Sequence, residues 1–320
     1  MSARLTRATA ALDNDAIVIG GGPAGLSAAL YLGRSRRRTL LVDAGKPRNL
    51  SSAAAHGVFT RDGTPPAELL AEARRQLAAY PMVRLRHAEA VSAETLKRGF
   101  VVRLSDGENV HARRLILALG VHDELPAIEG LGERWGKDVL HCVYCHGYEV
   151  ADRPLGLIVG GDAALGAAAS VLQMSRDLTV FQHGASDLSE KSRARLAELG
   201  VRVANSQPIR IAGASPHLEV RLADGSTFEC AAVFVRSTTR LASDIPAQLG
   251  CELAGPSRLA VDQNWATSVR GVYAAGDIAA PKDLACVAAA SGAQAAVALN
   301  ADLVLEDLGD RSVSLCANSA

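Results

Sequence analysis

Two cysteines, Cys142 and Cys145, are separated by two residues in the segment His141-Cys-Val-Tyr-Cys-His146. Three chemistries use this spacing: attachment of a c-type haem with His146 as axial ligand, half of a zinc site, and a redox-active dithiol. Haem attachment normally requires export, and we expect no signal peptide because the first residues contain no uninterrupted apolar segment. A zinc site would need a second Cys or His pair, and His141 and His146 adjoin the cysteines too closely to complete a tetrahedron. The pattern favours the redox dithiol and predicts no metal site.

A dithiol of this spacing can close a small disulfide ring, and its two sulfurs would have different roles. A helix after the pair would lower the thiolate pKa of Cys142 through its dipole, so Cys142 is the expected attacker on an external sulfur. Cys145 would lie deeper and pass electrons to a bound cofactor. Because proton transfer between thiols needs a group that titrates near neutral pH, we expect His146 to be the base and His141 to be the second candidate. The alternative is that these histidines only pack or lie at the surface.

A glycine-rich turn near the N-terminus predicts a dinucleotide site. An apolar strand precedes Gly20-Gly-Gly-Pro-Ala-Gly25, an alanine-rich helix follows, and the next apolar strand ends in Asp43. In this context the glycines allow a tight turn and close approach to a pyrophosphate, the helix N-terminus faces the phosphates, and Asp43 holds the ribose hydroxyls. The residues predicted to bind the cofactor here are Gly20, Gly22, Pro23, Ala24, Gly25 and Asp43.

A second turn far along the chain favours FAD over NAD. Gly276-Asp277 follows an apolar strand and could bind the ribityl chain and a nearby phosphate. A helix beginning at Ala285 could then direct its positive end towards the flavin edge where negative charge collects on reduction.

The strand–turn–helix pattern occurs a second time from Leu155, which indicates two nucleotide-domain-like halves. A strand near 272 and an alanine-rich helical pattern from about 285 to 305 indicate that the first half is discontinuous. We therefore expect an α/β fold with two Rossmann-like, three-layer nucleotide-binding domains, the second inserted in the first. The FAD-binding domain would comprise residues 14–122 and 246–320, and the inserted NAD(P)-like domain, residues 126–243, would carry the cysteine pair.

Charge and hydropathy restrict the classes of partner. Acidic and basic residues number 34 each, whereas nucleic-acid binders normally carry a basic excess, so we expect no nucleic-acid partner. No run of about 18 apolar residues occurs, so we expect no membrane association and a cytoplasmic protein. The four remaining cysteines are scattered and are expected to be small buried apolar residues. They are Cys230, Cys251, Cys286 and Cys316.

With these residues assembled, the chain resembles the low-molecular-weight thioredoxin reductases over nearly its full length. The resemblance rests on the glycine turn at 20–25, the Cys-x-x-Cys before the second half, and Gly-Val-Tyr-Ala-Ala-Gly-Asp at 271–277. It implies the architecture of that family, tightly bound FAD and a homodimer. It also implies further FAD-contacting positions, namely Arg48, Asn49, Ala90 and Gly120.

Two departures from that family change the expected direction of electron flow. Thioredoxin reductases place an aspartate directly after the second cysteine, where this chain has His146. Their second half carries a complete glycine fingerprint for NADPH and an arginine pair after its second strand. Here either Val159 replaces the first glycine or Asp162 and Leu165 replace the last two, and Gln182-His-Gly follows the strand. NADP(H) is therefore a doubtful cofactor, the alternative being a tolerant NADPH site that uses other residues.

The octet Cys-x-x-Cys-His-Gly-Tyr-Glu at 142–149 and the segment at 56–63 instead resemble the dithiol oxidases of natural-product clusters that install disulfides in gliotoxin, holomycin and romidepsin. That resemblance implies oxidation of a small-molecule dithiol, with electrons passing through the cysteine pair and FAD to O2 and giving H2O2. The loop from His56 to Asp62 would shape the substrate or flavin pocket, or be an ordinary surface loop. An NADPH-dependent thioredoxin or disulfide reductase, and a haem or metal redox carrier, remain alternatives at this point.

Overall fold

The computed structural model describes residues 13–184 and 187–309, so that Cys316 lies outside the described residues. The chain divides into two compact units. The first contains the stretch up to Arg48, Ala67–His122 and the stretch from Arg240 onward, and the second contains Asn49–Pro66 and Asp123–Thr239. Each unit has a sheet with parallel strands and packed helices, which confirms the predicted α/β fold class.

The N-terminal part of the first unit alternates buried strands with helices. In chain order its elements are β1 (Asn14–Ile19), α1 (Pro23–Arg34), β2 (Thr39–Asp43), α2 (Pro66–Leu77), β3 (Val83–His87), β4 (Ala90–Thr95), β5 (Phe100–Leu104), β6 (Asn109–Leu117) and β7 (Val121–Glu124). β1 and β2 are buried along their whole length, as strands of a parallel sheet covered on both faces must be. α1 begins with a proline, whose fixed φ suits the first helical position.

The second unit repeats this design around a shorter sheet. Its elements are α3 (Leu131–Arg134), β8 (Val139–Leu140), α4 (Val143–His146), β9 (Leu155–Val159), α5 (Ala163–Val171), β10 (Leu178–Gln182), α6 (Glu190–Glu198), β11 (Arg202–Val203), β12 (Pro208–Ala214), β13 (His217–Leu222), β14 (Thr227–Cys230), β15 (Ala232–Val235) and β16 (Thr238–Leu241). The parallel sheet has the order β11-β10-β9-β15-β8, and β12, β13 and β14 form a separate antiparallel sheet. The redox segment follows the carboxyl end of β8, an edge strand of the parallel sheet.

The C-terminal part of the chain completes the first sheet. Its elements are α7 (Ile245–Leu249), β17 (Leu253–Gly255), β18 (Arg258–Leu259), β19 (Val272–Ala274) and α8 (Ala285–Asp307). β19 pairs in parallel with β6 in a sheet whose other strands have the order β3-β2-β1-β6-β5-β4. The first unit is therefore assembled from segments that are distant in sequence.

α8 is long and apolar enough to cross a membrane by length and composition alone. Its buried face packs in the core of the first unit with α1. A Cβ added at Gly292 would lie 2.0 Å from the carbonyl oxygen of Ala24, so a glycine here permits the close helix approach. The packing accounts for the small, apolar composition of this helix.

Residues 49–66 correct the domain boundaries that we predicted. We placed this segment in the first domain, whereas it groups with the second unit. The physical reason is that this segment contacts the residues that follow the cysteine pair. Ser52 Oγ lies 3.5 Å from His146 Nε2, and His56 Nε2 lies 3.3 Å from Glu149 Oε1. A Cβ at Gly136 would lie only 2.2 Å from the hydroxyl oxygen of Ser51.

Candidate active site

The predicted redox cysteines are joined in a disulfide. The S–S distance between Cys142 and Cys145 is 2.06 Å and their Cα atoms are 5.2 Å apart. Cys142 is the N-cap of α4, and its sulfur accepts a hydrogen bond from the backbone N–H of Cys145 at 3.1 Å. Both cysteines are half-buried, so the bond lies near the surface of the second unit.

The helix after Cys142 is short. α4 has one turn, from Val143 to His146, and a 3-10 turn over Tyr148–Val150 follows it. A macrodipole arises from many aligned peptide groups, so one turn supplies little of the expected effect on a Cys142 thiolate. The hydrogen bond from Cys145 N–H is the local stabilisation that the structure provides instead.

His146 has the environment of a neutral base. Burial lowers the pKa of its imidazole; the carboxylate of Glu149 opposes this shift, and charge on His56 adds to it. The ring is therefore neutral at and above its usual pKa, so it can accept a proton there. His141, the second candidate, is exposed and stacks on Trp135 with ring centroids 5.5 Å apart and an interplanar angle of 26°.

The predicted phosphate-binding turn has the geometry that a dinucleotide requires. Gly20 has φ +109°, and a Cβ there would lie 2.2 Å from the carbonyl oxygen of Ala118. A Cβ at Gly25 would lie 1.7 Å from the carbonyl oxygen of Gly20. By contrast, no atom lies within 4 Å of a Cβ built at Gly22, the N-cap of α1, and no side chain caps this helix. The turn thus presents uncapped N–H groups beside open space, where a pyrophosphate could approach.

Asp43 is buried at the end of β2 beside this turn. Its Oδ1 accepts hydrogen bonds from the N–H of Gly21 at 3.2 Å and of Gly45 at 3.0 Å. Its Oδ2 accepts from Arg74 Nη2 at 2.9 Å. Arg74 was not predicted from the sequence, because nothing in the pattern of an amphipathic helix indicates which of its arginines contacts a buried carboxylate.

The C-terminal turn meets the same region of the first unit. Gly276 has φ +79°, its N–H donates to Ser291 Oγ at 2.9 Å, and a Cβ there would lie 2.9 Å from the Ala24 side chain. Asp277 Oδ2 accepts from Arg48 Nη1 at 3.0 Å. Burial raises the pKa of the Asp277 carboxyl, and Arg48 opposes that shift.

Arg48 has a role in the structure that the sequence did not reveal. The same nitrogen donates to Asp283 Oδ2 at 2.8 Å, and Arg258 Nη2 donates to Asp283 Oδ1 at 2.8 Å. The positive charges of Arg48 and Arg258 therefore offset the negative charges of Asp277 and Asp283. Their hydrogen bonds hold the turn before α8. Ala285 is the first residue of α8, whose N-cap, Leu284, provides no side-chain cap.

The other predicted cofactor residues are dispersed. Asn49 belongs to the second unit, in a 3-10 turn over Arg48–Ser51. Ala90 is buried at the start of β4, and Gly120 follows β6 with φ +69°. The cofactor contacts assigned to these residues remain predictions.

Comparison with known proteins decides the family. The sequence profile described as pyridine nucleotide-disulphide oxidoreductase matches residues 14–299. The chain belongs to this family. Thioredoxin reductase sirT of Leptosphaeria maculans is 32% identical over 317 residues, which cover 93% of this chain and 97% of the relative.

Solved structures agree with this assignment. An oxidoreductase from Agrobacterium tumefaciens is 40% identical with a TM-score of 0.87, over 92% of this chain and 99% of that chain. The structure of HlmI is 39% identical with a TM-score of 0.85, over 92% of this chain and 94% of that chain. These relatives confirm the resemblance found in the sequence.

Membership of the pyridine nucleotide-disulphide oxidoreductases implies FAD, and the first unit fits it. The open N-terminus of α1 at Gly22 would take the pyrophosphate, and buried Asp43 would take the ribose. The uncapped N-terminus of α8 at Ala285 would face the electron-accepting edge of the flavin. When bound, FAD supplies a two-electron acceptor for a reduced cysteine pair.

The second glycine fingerprint of this pyridine nucleotide-disulphide oxidoreductase is incomplete in both of the registers predicted from the sequence. Counted from the strand, Leu155 and Leu157 pack in the core with α5 as Ala16 and Val18 pack in the core with α1, so Val159 stands where Gly20 stands. Counted from the helix, the N-cap Asp162 stands where the N-cap Gly22 stands and Leu165 stands where Gly25 stands, so the fingerprint is substituted in both registers.

Val159 changes the turn that would hold a pyrophosphate. It continues β9 and pairs with Gln182, so positive φ first occurs at Gly161 (+56°). The exposed carboxyl of Asp162 is then the N-cap of α5. A hydrogen bond from Ser189 N–H lowers its pKa, so a negative charge stands where phosphates would approach.

The remaining described cysteines differ in environment. Burial raises the pKa of the Cys230 thiol to about 12, and it also raises the pKa of Cys251. These two thiols are therefore poor nucleophiles. Cys286, which we expected to be buried, is instead exposed as the second residue of α8.

Proposed function

We propose that this flavoprotein oxidises a small-molecule dithiol to an intramolecular disulfide and passes the electrons to O2, giving H2O2. The observation that carries the proposal is the altered second fingerprint, in which Val159 continues β9 and positive φ first occurs at Gly161, because this displaces the turn that NADPH would use. Asp162 at the helix N-terminus and the lack of an arginine pair after β10 point the same way. Electrons are therefore expected to enter through the disulfide.

The reaction on the protein is thiol–disulfide exchange. A substrate thiolate attacks the sulfur of Cys142, the Cys142–Cys145 bond breaks, and Cys145 leaves as a thiolate. The second substrate thiol attacks the mixed disulfide, which releases the oxidised substrate and the Cys142 thiolate. One substrate dithiol loses two electrons and two protons, and the cysteine pair gains the two electrons.

His146 is the proposed proton-transfer group. Its lowered pKa keeps the imidazole neutral, so that it can accept a proton from an attacking thiol. An aspartate at this position, as in the thioredoxin reductases that the sequence resembles, would be a weaker base, because its ordinary pKa is about 3.9. The histidine is thus suited to a reaction that begins with reduced thiols.

The surroundings of the disulfide favour an apolar organic substrate. Tyr144, between the cysteines, is 76% exposed and Tyr148 is 86% exposed. Phe59, in the loop that contacts the redox segment, is 92% exposed. Large exposed apolar side chains of this kind are common at sites that bind apolar groups. We further propose that the protein acts as a cytoplasmic homodimer, without nucleic-acid or membrane partners.

A second candidate is an NADPH-dependent thioredoxin or disulfide reductase. It is favoured by the name of the sirT relative, which matches along nearly the whole chain. In that function the disulfide would be reduced from the flavin side, and the second unit would have to bind NADPH through residues other than a complete glycine fingerprint.

Oxygen consumption distinguishes these candidates during turnover. With dithiothreitol as probe, we expect one O2 consumed and one H2O2 formed for each dithiol oxidised, without NADPH. Catalase should return half of the consumed O2. The Cys251→Ser variant, which retains a partner for Thr267, serves as a matched protein control. Turnover that needs NADPH and an added disulfide, with no peroxide, would favour the reductase.

A further inference from the structure

His56 lies between two carboxylates in the second unit. Its Nε2 lies 3.3 Å from Glu149 Oε1, and its Nδ1 lies 3.5 Å from Asp62 Oδ2. The His56 side chain is 22% exposed, whereas those of Glu149 and Asp62 are 42% and 71% exposed. One imidazole thus connects the loop before α2 with the segment that carries the disulfide.

The loop itself is closed by backbone hydrogen bonds. Ala55 N–H donates to the carbonyl of Thr64 at 2.9 Å, and Gly63 N–H donates to the carbonyl of Ala55 at 3.0 Å. Asp62 Oδ1 also accepts from Gly57 N–H at 2.7 Å. His56 therefore projects from a small closed loop rather than from a free strand.

A second contact joins the same two segments. Ser52 Oγ lies 3.5 Å from Nε2 of His146, three residues before Glu149. His146 and His56 thus share one carboxylate as a neighbour, and the loop contacts the redox segment at both places. His56 takes no part in the proton transfer that is proposed for His146.

We propose that His56 is a positioning residue for His146. It holds Glu149 and the closed loop against the redox segment, and together with Glu149 it sets the charge around the His146 ring. The inference deepens the proposed function and rests on His146 as its proton-transfer group.

His56 and Glu149 have opposite effects on the protonation of His146. The charged groups that face His146 are Glu149 and His56, and those that face His56 are Glu149 and Asp62. Positive charge on His56 disfavours a second positive charge on His146, whereas Glu149 favours it. Removing His56 should therefore make His146 easier to protonate, and neutralising Glu149 should make it harder.

Titration of His146 by NMR in the oxidised, full-length protein tests this directly. His146→Gln identifies the resonance among the eight histidines. We expect His56→Gln to raise the pKa of His146 and Glu149→Gln to lower it, each by about half a unit for partly screened charges at this range. Asp62→Asn, which alters a carboxylate that contacts His56 but is not among the groups facing His146, should shift the titration less than either.

Shifts of opposite sign support the proposal, since loosening of the loop alone would not move the titration in opposite directions. No shift in either variant, or shifts of the same sign, would overturn it. The titration needs no turnover, so failure of the positioning role can be distinguished from failure of the proposed function. If dithiothreitol fails to reduce the flavin of the unmodified protein while the titrations shift as expected, the positioning role stands and the dithiol oxidase assignment falls.

Discussion

The double variant Cys142→Ser with Cys145→Ser is expected to lose dithiol oxidation by at least about a thousandfold while it retains FAD. Serine oxygens cannot form the disulfide that accepts electrons from the substrate. The glycine turn and Asp43, which fit the cofactor, belong to the first unit, and both cysteines belong to the second. Peroxide formation with dithiothreitol and the visible flavin spectrum of the purified variant measure the two properties separately.

A matched control shows whether the loss of turnover is specific to Cys142 and Cys145. Cys251→Ser replaces a half-buried cysteine whose Sγ lies 3.7 Å from Thr267 Oγ1, a contact that a serine hydroxyl can also make. Its turnover should stay close to that of the unmodified protein. Retained turnover in the double variant would show that dithiol electrons reach the flavin without these sulfurs, and the assigned exchange would then be wrong.

Gly22→Val is expected to weaken FAD binding at least about a hundredfold, or about 2.7 kcal/mol, while the apoprotein keeps its fold. Gly22 has φ −76° and ψ −173°, an extended conformation open to valine, and no atom lies within 4 Å of an added Cβ. The helix N-cap should lose only about 1 kcal/mol of stability. The branched side chain would fill the space where the pyrophosphate approaches. Fluorescence titration of apoprotein with FAD, together with thermal unfolding, measures both effects.

Gly25→Val provides the contrasting variant. Its Cβ would lie 1.7 Å from the carbonyl oxygen of Gly20, so the turn itself must move and the apoprotein should unfold at a lower temperature. If Gly22→Val binds FAD as tightly as the unmodified protein, the pyrophosphate does not approach this turn. The cofactor assignment to α1 would then be contradicted.

Local sequence patterns predicted much of the first unit because each carries a backbone requirement. The turn at Gly20 needs positive φ, and the apolar strands before and after it need burial on both faces. The first fingerprint and the long C-terminal helix therefore follow from composition and spacing. The paired Cys142 and Cys145 likewise follow from their separation.

Long-range contacts could not be predicted in this way. Arg74 meets Asp43, and Arg258 meets Asp283, only because the folded sheet brings separate segments together. The extension of β9 to Val159 could be recognised only from the pairing of Val159 with Gln182 in β10. The grouping of residues 49–66 with the second unit depends on side chains such as His56, which no local periodicity marks.

Anaerobic mixing tests the direction of electron flow most directly. The oxidised holoprotein is mixed with dithiothreitol or, separately, with NADPH, and the visible absorbance of the flavin is followed with time. Our account predicts bleaching by the dithiol, reversed by air with release of peroxide, and little bleaching by NADPH. Rapid bleaching by NADPH with no response to the dithiol would contradict the account and identify a reductase.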